Sequence, residues 1–419
     1  MRDSIILHSD LNHFYAAVEI LYNPSLRNLP VAVCGDPEAR HGIVLTKNPI
    51  AKRFGVTTGQ PIWQAKQLCP KLVVIPPHYD LYLKFSKMAR DIYYDYTDLI
   101  EPFGIDEAWL DVTGSTILFG DGEAIAQKIR RRIFKELGIT VSIGVSFNKI
   151  YAKLGSDYKK PDAVTVFTRE NYKEKVWSLP VADLLYVGKA TENKLKKFRI
   201  YTIGDLAKCD TKLLYSQLGK VGIMLQRFAN GYDHTPVNTN DSSPIIKSIG
   251  NSLTTPRDLT TDDDVWVTLS MLSESVATRL RENGFRCNTV QISLRDKNLF
   301  SCERQTKTKV STCLSTEIAT TAMEIFQAKY HMNNPLRSVG VRACDLIPMN
   351  SNTQLSLLYD YKKQKRLENL ETTIDDLRKR YGYMTIQKGN LLIDKELSGH
   401  DAKEHIIHPY ALFNDKIPI

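Results

Sequence analysis

Cysteine is scarce in this chain, and long apolar runs are missing from it. The seven cysteines form no Cys-x-x-Cys pair and are odd in number, so neither a disulfide framework nor a zinc ribbon is expected. No apolar run approaches the ~18 residues of a membrane-spanning helix, which excludes an integral membrane protein. The N-terminus reaches Asp3 and His8 too early for a secretory signal. We therefore expect a reduced, cytoplasmic protein.

The composition also excludes a mainly disordered, collagen-like or coiled-coil chain. Hydrophobic residues make up 42% of the 419 residues and charged residues 25%, both near the averages of globular proteins. A chain of this length holds about two to four domains.

The charge of the chain is moderately basic and unevenly placed. There are 56 Lys and Arg residues against 47 Asp and Glu residues, a net charge of +9. Residues 149–227 hold 16 of the basic residues and 8 of the acidic ones, so nearly the whole excess falls there. A basic block of this length suits contacts with the phosphates of a nucleic acid. On charge alone, a solvated surface is an equal alternative.

Strands and helices are mixed in the first 170 residues, which predicts an α+β core. A short buried strand is predicted at 4–11, and two strands are predicted to meet near Asp106 within 100–112. The other predicted elements are strands at 31–35, 42–46 and 140–145 and helices at 14–19, 48–54, 63–68, 79–96 and 123–137.

The second half of the chain changes character twice. Residues 183–231 are short helical pieces with glycines, and the polar residues 232–246, with two prolines, have the composition of a linker. A second, smaller α+β domain follows, and a charged helix is predicted at 359–381. Within that domain the periodicity predicts helices at 265–283 and 316–330 and strands at 289–296 and 338–346.

Three acidic residues lie beside apolar strands. Asp10 ends the first predicted strand, and Asp106 and Glu107 lie where two strands meet. Buried carboxylates are costly unless they are paired or bind a metal. If the strands are neighbours, the three could converge and hold Mg²⁺, which prefers carboxylates, water and substrate phosphates. Alternatively, Asp106 caps a turn and Asp10 caps the following helix.

Several ordered motifs resemble those of the Y-family (translesion) DNA polymerases, in the bacterial DinB-like (DNA polymerase IV type) and UmuC-like branch. Residues 9–19 resemble the opening of these enzymes, and residues 104–111 match their S-x-D-E-A-[YW]-L-D signature at a similar separation. Further matches lie at 48–56, at 142–149 and at 152–157 with Lys160-Pro161 beyond. The resemblance covers roughly residues 4–345.

The resemblance implies an α+β right-hand polymerase with a palm, short fingers, a helical thumb and a separate α+β little finger domain. It implies template-directed addition of deoxynucleotides to a primer 3′-hydroxyl with two Mg²⁺, at low fidelity and without proofreading. A short fingers domain is expected to reject misfit base pairs weakly. The implied domains are palm at 1–30 and 79–168, fingers at 31–78, thumb at 169–231, linker at 232–246, little finger at 247–346 and a C-terminal tail at 347–419.

The family's catalytic residues correspond to Asp10, Asp106 and Glu107, which would also bind the metals together with the backbone carbonyl of Leu11. The chain departs from the family's usual residues at four positions near this site. The residues at these positions are Asn12, Gly104, Pro49 and Lys52.

The resemblance also implies a nucleotide site at the start of the first helix. Backbone N–H groups of His13, Phe14 and Tyr15 would face the phosphates, and the Tyr15 ring would act as a steric gate that excludes a 2′-hydroxyl. Alternatively, both aromatic rings belong to the core. Residues implied to contact the triphosphate are Thr46, Lys52 or Arg53, and Lys160, although Lys160 also reads as a solvated loop lysine.

Two regions are predicted to bind DNA. Gly188 and Lys189 lie in a turn that resembles a helix-hairpin-helix, or else in an ordinary connection between helices. In the little finger, Arg286, Arg295 and Lys297 would follow a duplex backbone, or else form a generic charged face.

A short peptide after the last domain resembles the QLSLF-type peptide that docks on the bacterial sliding clamp. Its docking residues would be Gln354, Leu355, Leu357 and Leu358, although an apolar start of the following helix is an alternative. The expected partners are thus primer-template DNA, deoxynucleoside triphosphates and the clamp, and the chain is expected to be a monomer.

Two other classes of protein compete with the polymerase interpretation. A nucleotidyl cyclase uses a similar sheet and metal pair, but it needs no basic thumb or little finger. A non-catalytic DNA-binding protein could keep the fold, but the three acidic residues argue against it.

Overall fold

The computed structural model describes residues 4–36, 42–238, 246–330, 332–351 and 359–399. The chain divides into two compact units. The described part of the first unit is residues 4–35 and 43–238, and that of the second is residues 246–399 with the gaps given above, together with Asp36 and Gly42. No helix of the described residues is both long and apolar enough to cross a bilayer. All seven cysteines are free thiols.

The described residues of the first unit form eight strands and twelve α-helices, besides short 3-10 and π turns. Its strands are β1 (Ile6–Leu11), β2 (Val31–Cys34), β3 (Val44–Lys47), β4 (Val73–Ile75), β5 (Ile100–Pro102), β6 (Glu107–Asp111), β7 (Val141–Ser146) and β8 (Val164–Val166). Its helices are α1 (Phe14–Tyr22), α2 (Pro49–Arg53), α3 (Ile62–Leu68), α4 (Tyr79–Tyr94), α5 (Thr116–Phe119), α6 (Gly122–Arg132), α7 (Lys149–Tyr158), α8 (Tyr172–Val176), α9 (Lys189–Lys197), α10 (Ile203–Lys208), α11 (Thr211–Leu218) and α12 (Lys220–Ala229).

A five-stranded sheet in the order β5-β6-β1-β7-β8 forms the centre of the predicted palm. All six residues of β1 are buried, because helices cover both faces of the sheet. Leu7 and Leu11 face the core that α4 and α6 share with the sheet. Successive side chains of a strand point to opposite faces, so His8 and Asp10 face α7 instead.

Helix α7 was not among the predicted helices. It packs directly on β7, since a Cβ atom at Gly144 would lie 1.9 Å from the Ala152 carbonyl oxygen. The side chain of Asn148 caps its first turn by accepting a hydrogen bond from the Tyr151 N–H at 2.8 Å. Glycine at 144 thus allows the helix to lie close against the sheet.

The predicted fingers are small. They consist of the three-stranded sheet β3-β2-β4 and the short helices α2 and α3. Nine buried residues form their core, which is Ala32, Cys34, Val44, Ala51, Val56, Ile62, Ala65, Cys69 and Leu72. Helices α8 to α12 form the predicted thumb around a separate apolar cluster.

The second unit is a four-stranded antiparallel sheet in the order β11-β10-β12-β9 with helices packed on it. Its elements are β9 (Ser248–Leu259), α13 (Asp262–Glu282), β10 (Phe285–Asp296), β11 (Ser301–Thr312), α14 (Ser315–Lys329), β12 (Leu336–Pro348), α15 (Tyr361–Tyr381) and α16 (Lys395–Ser398). No bounds were predicted for strands β9 and β11. Six of the twelve residues of β11 are exposed, and its mostly polar sequence lacks the apolar alternation that marks a strand.

The charged helix predicted at 359–381 is present as α15. It packs against α13, and α16 packs against α13 and β9. Residues 361–398 therefore belong to the second unit, although the sequence placed them in a tail. Helix α15 is held in this unit by a set of ion pairs with α13, described below. Apolar periodicity in the sequence does not reveal such pairs.

Candidate active site

Register between two strands brings the acidic residues together. Asp10 lies opposite Glu107 where β1 pairs with β6. The Leu11 N–H donates to the Asp106 carbonyl oxygen at 2.9 Å, which fixes the turn before β6 against the end of β1. The predicted convergence of Asp10, Asp106 and Glu107 at one end of the sheet is therefore seen in the backbone.

Among the described residues, the compact side-chain cluster consists of Asp10, Glu107 and His8 and does not include Asp106. Ligand atoms of His8, Asp10 and Glu107 all lie within 4.8 Å of one another. The pKa of Asp106 is raised to about 7, first by burial and then by the charges of Asp10 and Glu107. Burial also raises the pKa of Glu107, against the opposing effect of Lys153. Buried like charges of this kind stabilise a bound cation.

Lys153 is a site residue that the sequence reasoning missed. Its Nζ lies 2.5 Å from Glu107 Oε2 and 3.2 Å from Asp10 Oδ2. Burial opposes its charge, but Asp10, Glu107 and Asp157 outweigh burial and raise the pKa of Lys153. The residue lies inside the matched segment 152–157, so reading that segment as a helix over the sheet would have pointed to it.

His8 lies beneath the acidic cluster and is fully buried. Ser156 Oγ donates its proton to the Lys153 carbonyl oxygen at 2.8 Å, so it accepts from His8 Nδ1 at 2.9 Å. The Nε2 atom, without a hydrogen-bond partner in the described part of the chain, lies 3.5 Å from Glu107 Oε2. Burial, followed by Lys153 and Lys160, lowers the pKa of His8 well below its usual value, so the ring stays neutral.

The donor set fits a hard divalent cation. Most of its ligand atoms are carboxylate oxygens, which Mg²⁺ prefers. Lys153 and Lys160 contact these carboxylates, but they do not return the pKa of Asp106 to its usual value. The orphaned Nε2 of His8 adds a lone pair on the same side.

The turn from β1 into α1 forms the predicted nucleotide site. His13 has a left-handed backbone (φ 48°) and precedes the first turn of α1, where N–H groups have no intrahelical partner. Phe14 is 2% exposed and lies in the core, so only its backbone can face a nucleotide. The Tyr15 ring stacks on Tyr82 at a centroid distance of 4.2 Å and an interplanar angle of 9°.

Lysines surround His13. Burial lowers the pKa of His13 first, and the charges of Lys52, Lys160 and Lys47 lower it further. Lys160 also contacts Asp10 Oδ2 at 2.7 Å. Lys47 was not predicted, and it follows Thr46 on β3.

The other predicted triphosphate residues are less enclosed. Thr46 is half-buried on β3, and Lys52 and Arg53 are both exposed on α2. Of the predicted cations, Lys52 and Lys160 affect the pKa of His13, as does Lys47.

Two departures from the family's residues have a visible role. Asn12 Oδ1 accepts a hydrogen bond from the Asp162 N–H at 2.8 Å, which ties the loop carrying Lys160 to the end of β1. Gly104 lies against the acids, because a Cβ atom there would be 3.4 Å from Asp106 Oδ1 and 3.2 Å from Glu107 Cγ.

The predicted DNA-binding residues fall into two groups. Gly188 and Lys189 are exposed at the start of α9, and Arg295 and Lys297 are exposed at the end of β10. Arg286 departs from the prediction, since its guanidinium makes two hydrogen bonds of 3.0 Å to the Glu368 carboxylate and one to the Met349 carbonyl oxygen. Helix α15 supplies that carboxylate, so Arg286 holds the C-terminal helix.

The predicted clamp peptide cannot be placed. Gln354, Leu355, Leu357 and Leu358 lie outside the described residues.

Comparisons with known proteins identify the family of the chain. Residues 9–157 match the model of the impB/mucB/samB family, and residues 246–357 match the model of its C-terminal domain. A protein named DNA polymerase IV from Acetivibrio thermocellus is 54% identical over 94% of this chain and 99% of its own. One named DNA polymerase IV 1 from Bacillus subtilis is 36% identical over 94% and 95%.

Solved structures show the same similarity. A Dbh–Dpo4 chimera of Y-family DNA polymerases superposes with a TM-score of 0.72 at 25% identity, over 82% of this chain and 99% of its own. DinB from Sulfolobus solfataricus gives a TM-score of 0.55 at 25% identity, over 83% and 100%. These neighbours share the palm, fingers, thumb and little finger architecture.

Proposed function

Because the chain belongs to the impB/mucB/samB family, as a DinB-like Y-family DNA polymerase, we propose that it adds deoxynucleotides to a primer 3′-hydroxyl on templates that include damaged bases. Its substrates are primer-template DNA and deoxynucleoside triphosphates. The observation that carries the proposal is the register of β1 and β6, which sets Asp10 opposite Glu107 with Asp106 beside them.

Asp10, Asp106 and Glu107 are the proposed catalytic residues, and with the Leu11 carbonyl they would hold the metals. When bound, two Mg²⁺ ions would activate the primer hydroxyl and offset the charge of the triphosphate. The raised pKa of Asp106, caused by burial and its acidic neighbours, supports this role.

The nucleotide is proposed to lie over the start of α1. N–H groups of residues 13–15 and the ammonium groups of Lys47, Lys52 and Lys160 would bind the triphosphate. Thr46 and Arg53 are proposed to add contacts at the edge of this site. Tyr15, held flat against Tyr82, is proposed as the steric gate below the deoxyribose.

Low fidelity is proposed from the size of the fingers, and synthesis without proofreading from the sequence, in which no second cluster of acidic residues suggests an exonuclease. The core of the fingers holds nine buried residues, and their two helices have five and seven residues. So small a domain cannot enclose the nascent base pair tightly, and geometric rejection of misfits is weak as a result.

Contacts with DNA are proposed for the exposed residues of the thumb and little finger. Gly188 and Lys189 begin a helix rich in lysine, and Arg295 and Lys297 lie at the end of β10. Backbone contacts of this type hold a duplex without reading its sequence. The peptide at Gln354–Leu358 is proposed to dock on the sliding clamp, with the polymerase acting as a monomer.

Primer extension by the purified chain tests the proposal. With Mg²⁺, the chain should extend primers on undamaged and abasic templates, and Asp106→Ala should abolish extension while primer-template binding stays measurable. Unchanged extension by Asp106→Ala would refute the catalytic assignment. Formation of a cyclic nucleotide without primer extension would favour a cyclase.

A further inference from the structure

Lys153 bridges the two carboxylates that face each other across β1 and β6. Its Nζ lies 2.5 Å from Glu107 Oε2 and 3.2 Å from Asp10 Oδ2. Lys160, the other lysine at this point, contacts Asp10 but is not paired with Glu107. Lys153 therefore lies between the oxygens that the proposed function gives to a divalent ion.

We propose that Lys153 is a placeholder for that ion. In the metal-free enzyme its ammonium holds Asp10 and Glu107 in their metal-binding arrangement, and it leaves Glu107 Oε2 when a divalent cation enters. The inference rests on the proposed function, because it takes Asp10 and Glu107 as metal ligands. Lys153 is a positioning residue in this account, since it acts through the carboxylates.

The carboxylates need such a cation before metal binds. Asp10 is 8% exposed, and its ligand atom lies within 4.8 Å of that of Glu107. Two negative charges this close, largely shielded from water, repel each other strongly. His8 does not pair with them by a hydrogen bond, because its Nδ1 bonds to Ser156 Oγ and its buried Nε2 has no hydrogen-bond partner in the described part of the chain.

Lysine is suited to leave the site again. Its ammonium is a point charge on a flexible stem, so it can move without breaking a fixed pair of hydrogen bonds, as arginine would have to. Close packing of Gly144 against Ala152 holds the backbone of α7 in place. Asp157, one turn later and with a side chain 48% exposed, already lies 3.4 Å from Lys153 Nζ. The released ammonium thus has a second carboxylate within reach.

Metal affinity of the free enzyme tests the proposal. Mn²⁺ binding would be titrated by electron paramagnetic resonance without DNA or nucleotide at pH 8.5, above the pKa of about 7 of Asp106. Lys153→Gln removes the competing charge and should bind Mn²⁺ roughly tenfold tighter or more. Its metal-free form should melt at a lower temperature, and Mn²⁺ should raise that temperature more than in the wild type.

Two variants serve as controls. Lys153→Arg keeps the charge and should bind Mn²⁺ more weakly than Lys153→Gln. Lys149→Gln removes a similar charge from the same helix, because Lys149 Nζ lies 2.6 Å from Glu101 Oε1, away from the metal ligands. It should leave Mn²⁺ affinity unchanged even if it lowers the melting temperature. If Lys153 had only a structural role, Lys153→Gln and Lys153→Arg would leave Mn²⁺ affinity unchanged even where they lower the melting temperature, as expected for Lys149→Gln.

A measurement on the wild-type protein tests the proposal even if the Lys153 variants fail to fold. Mn²⁺ should speed the labelling of Lys153 by an amine-specific reagent, read by mass spectrometry, and leave Lys149 unchanged. Unaltered labelling, or Mn²⁺ affinity of Lys153→Gln equal to or below that of the wild type, would overturn the placeholder. If Glu107→Gln leaves Mn²⁺ binding intact, the proposed metal site itself fails, and the placeholder fails with it.

Discussion

Two buried clusters of charge, one in each unit, are built on different cations. In the first unit, lysines contact Asp10 and Glu107. In the second unit, arginines join α13 to the C-terminal helix α15, with Arg281 contacting Asp375 at 2.7 Å and Arg378 contacting Glu274 at 3.0 Å. Asp375 and Glu274 are 6% and 3% exposed, so both clusters carry carboxylates out of water.

The difference lies in how completely each carboxylate is bound. Arg281 reaches both oxygens of Asp375 and also Glu371 and the Cys313 carbonyl. Such forked pairs fix two elements in one geometry. The lysine cluster leaves a carboxyl with a raised pKa, Asp106, and an unpaired Nε2 on His8 within the described structure. We infer that the arginine cluster holds α13 and α15 together permanently. In the lysine cluster, by contrast, a metal ion can replace the lysine ammonium at the carboxylates.

The largest expected effect is a loss of primer extension, and it should differ between two similar ion pairs near the site. Glu107 and Glu101 each pair with a lysine of α7, at 2.5 and 2.6 Å. Glu107→Gln should lower the rate of primer extension more than ~100-fold, because even groups outside a metal's ligands are worth about 10–100-fold. Glu101→Gln should keep most of the activity. If both variants lost the same fraction of the extension rate in single-turnover assays, the metal-binding role of Glu107 would be contradicted.

The next effect breaks the arginine cluster. Arg281→Met leaves Glu371 and Asp375 without their main cation, and removal of one partner of a buried pair costs about 3–5 kcal/mol. Hydrogen exchange of α13 and α15 should therefore speed up strongly. Lys365→Met on α15, the helix that carries Glu371 and Asp375, is the control. The Lys365 side chain is 70% exposed and lies 3.9 Å from Glu368, so its loss should change stability by about 0–1 kcal/mol. Similar rates of hydrogen exchange in Arg281→Met and Lys365→Met would contradict the role of the arginine cluster in holding α13 and α15 together.

The smallest effect is a pH dependence in the metal-free enzyme. Asp106 has a folded pKa of about 7 against a usual value of 3.8, so the unfolded state loses this proton first as pH rises. The resulting penalty is absent below about pH 4, grows up to pH 7 and is complete above it. Asp106→Asn should melt with the wild type near pH 4 and a few degrees above it at pH 8. Melting curves that stay parallel across this range would contradict the raised pKa.

Much of the fold was predictable where apolar periodicity is strong. Strand β1 was expected from its run of apolar residues, and helix α4 and the strands on either side of Asp106 were expected as well. The bounds of β11 were not predicted because its sequence is mostly polar, and α7 was missed because its lysines and glycine obscure its apolar face. The domain bounds, apart from the C-terminal helix, stay predictions of the resemblance.

The site shows a similar division. The three acidic residues and Tyr15 were predicted from motifs, but Lys153, Lys47 and His8 were not. Their importance depends on which side chains face which, and sequence spacing does not give distances across strands. Arg286, which was predicted to contact DNA, is paired in the structure with Glu368, 82 residues away, and sequence spacing does not show that pairing.

The sequence by itself determined the family, and it predicted the order of the domains and the acids of the proposed site, because these follow from local patterns and ordered motifs. Only the tertiary structure decided which cation neutralises each buried carboxylate. Charge interactions act over a few ångströms between residues far apart along the chain, so they exist only once strand register and helix packing have brought those residues together.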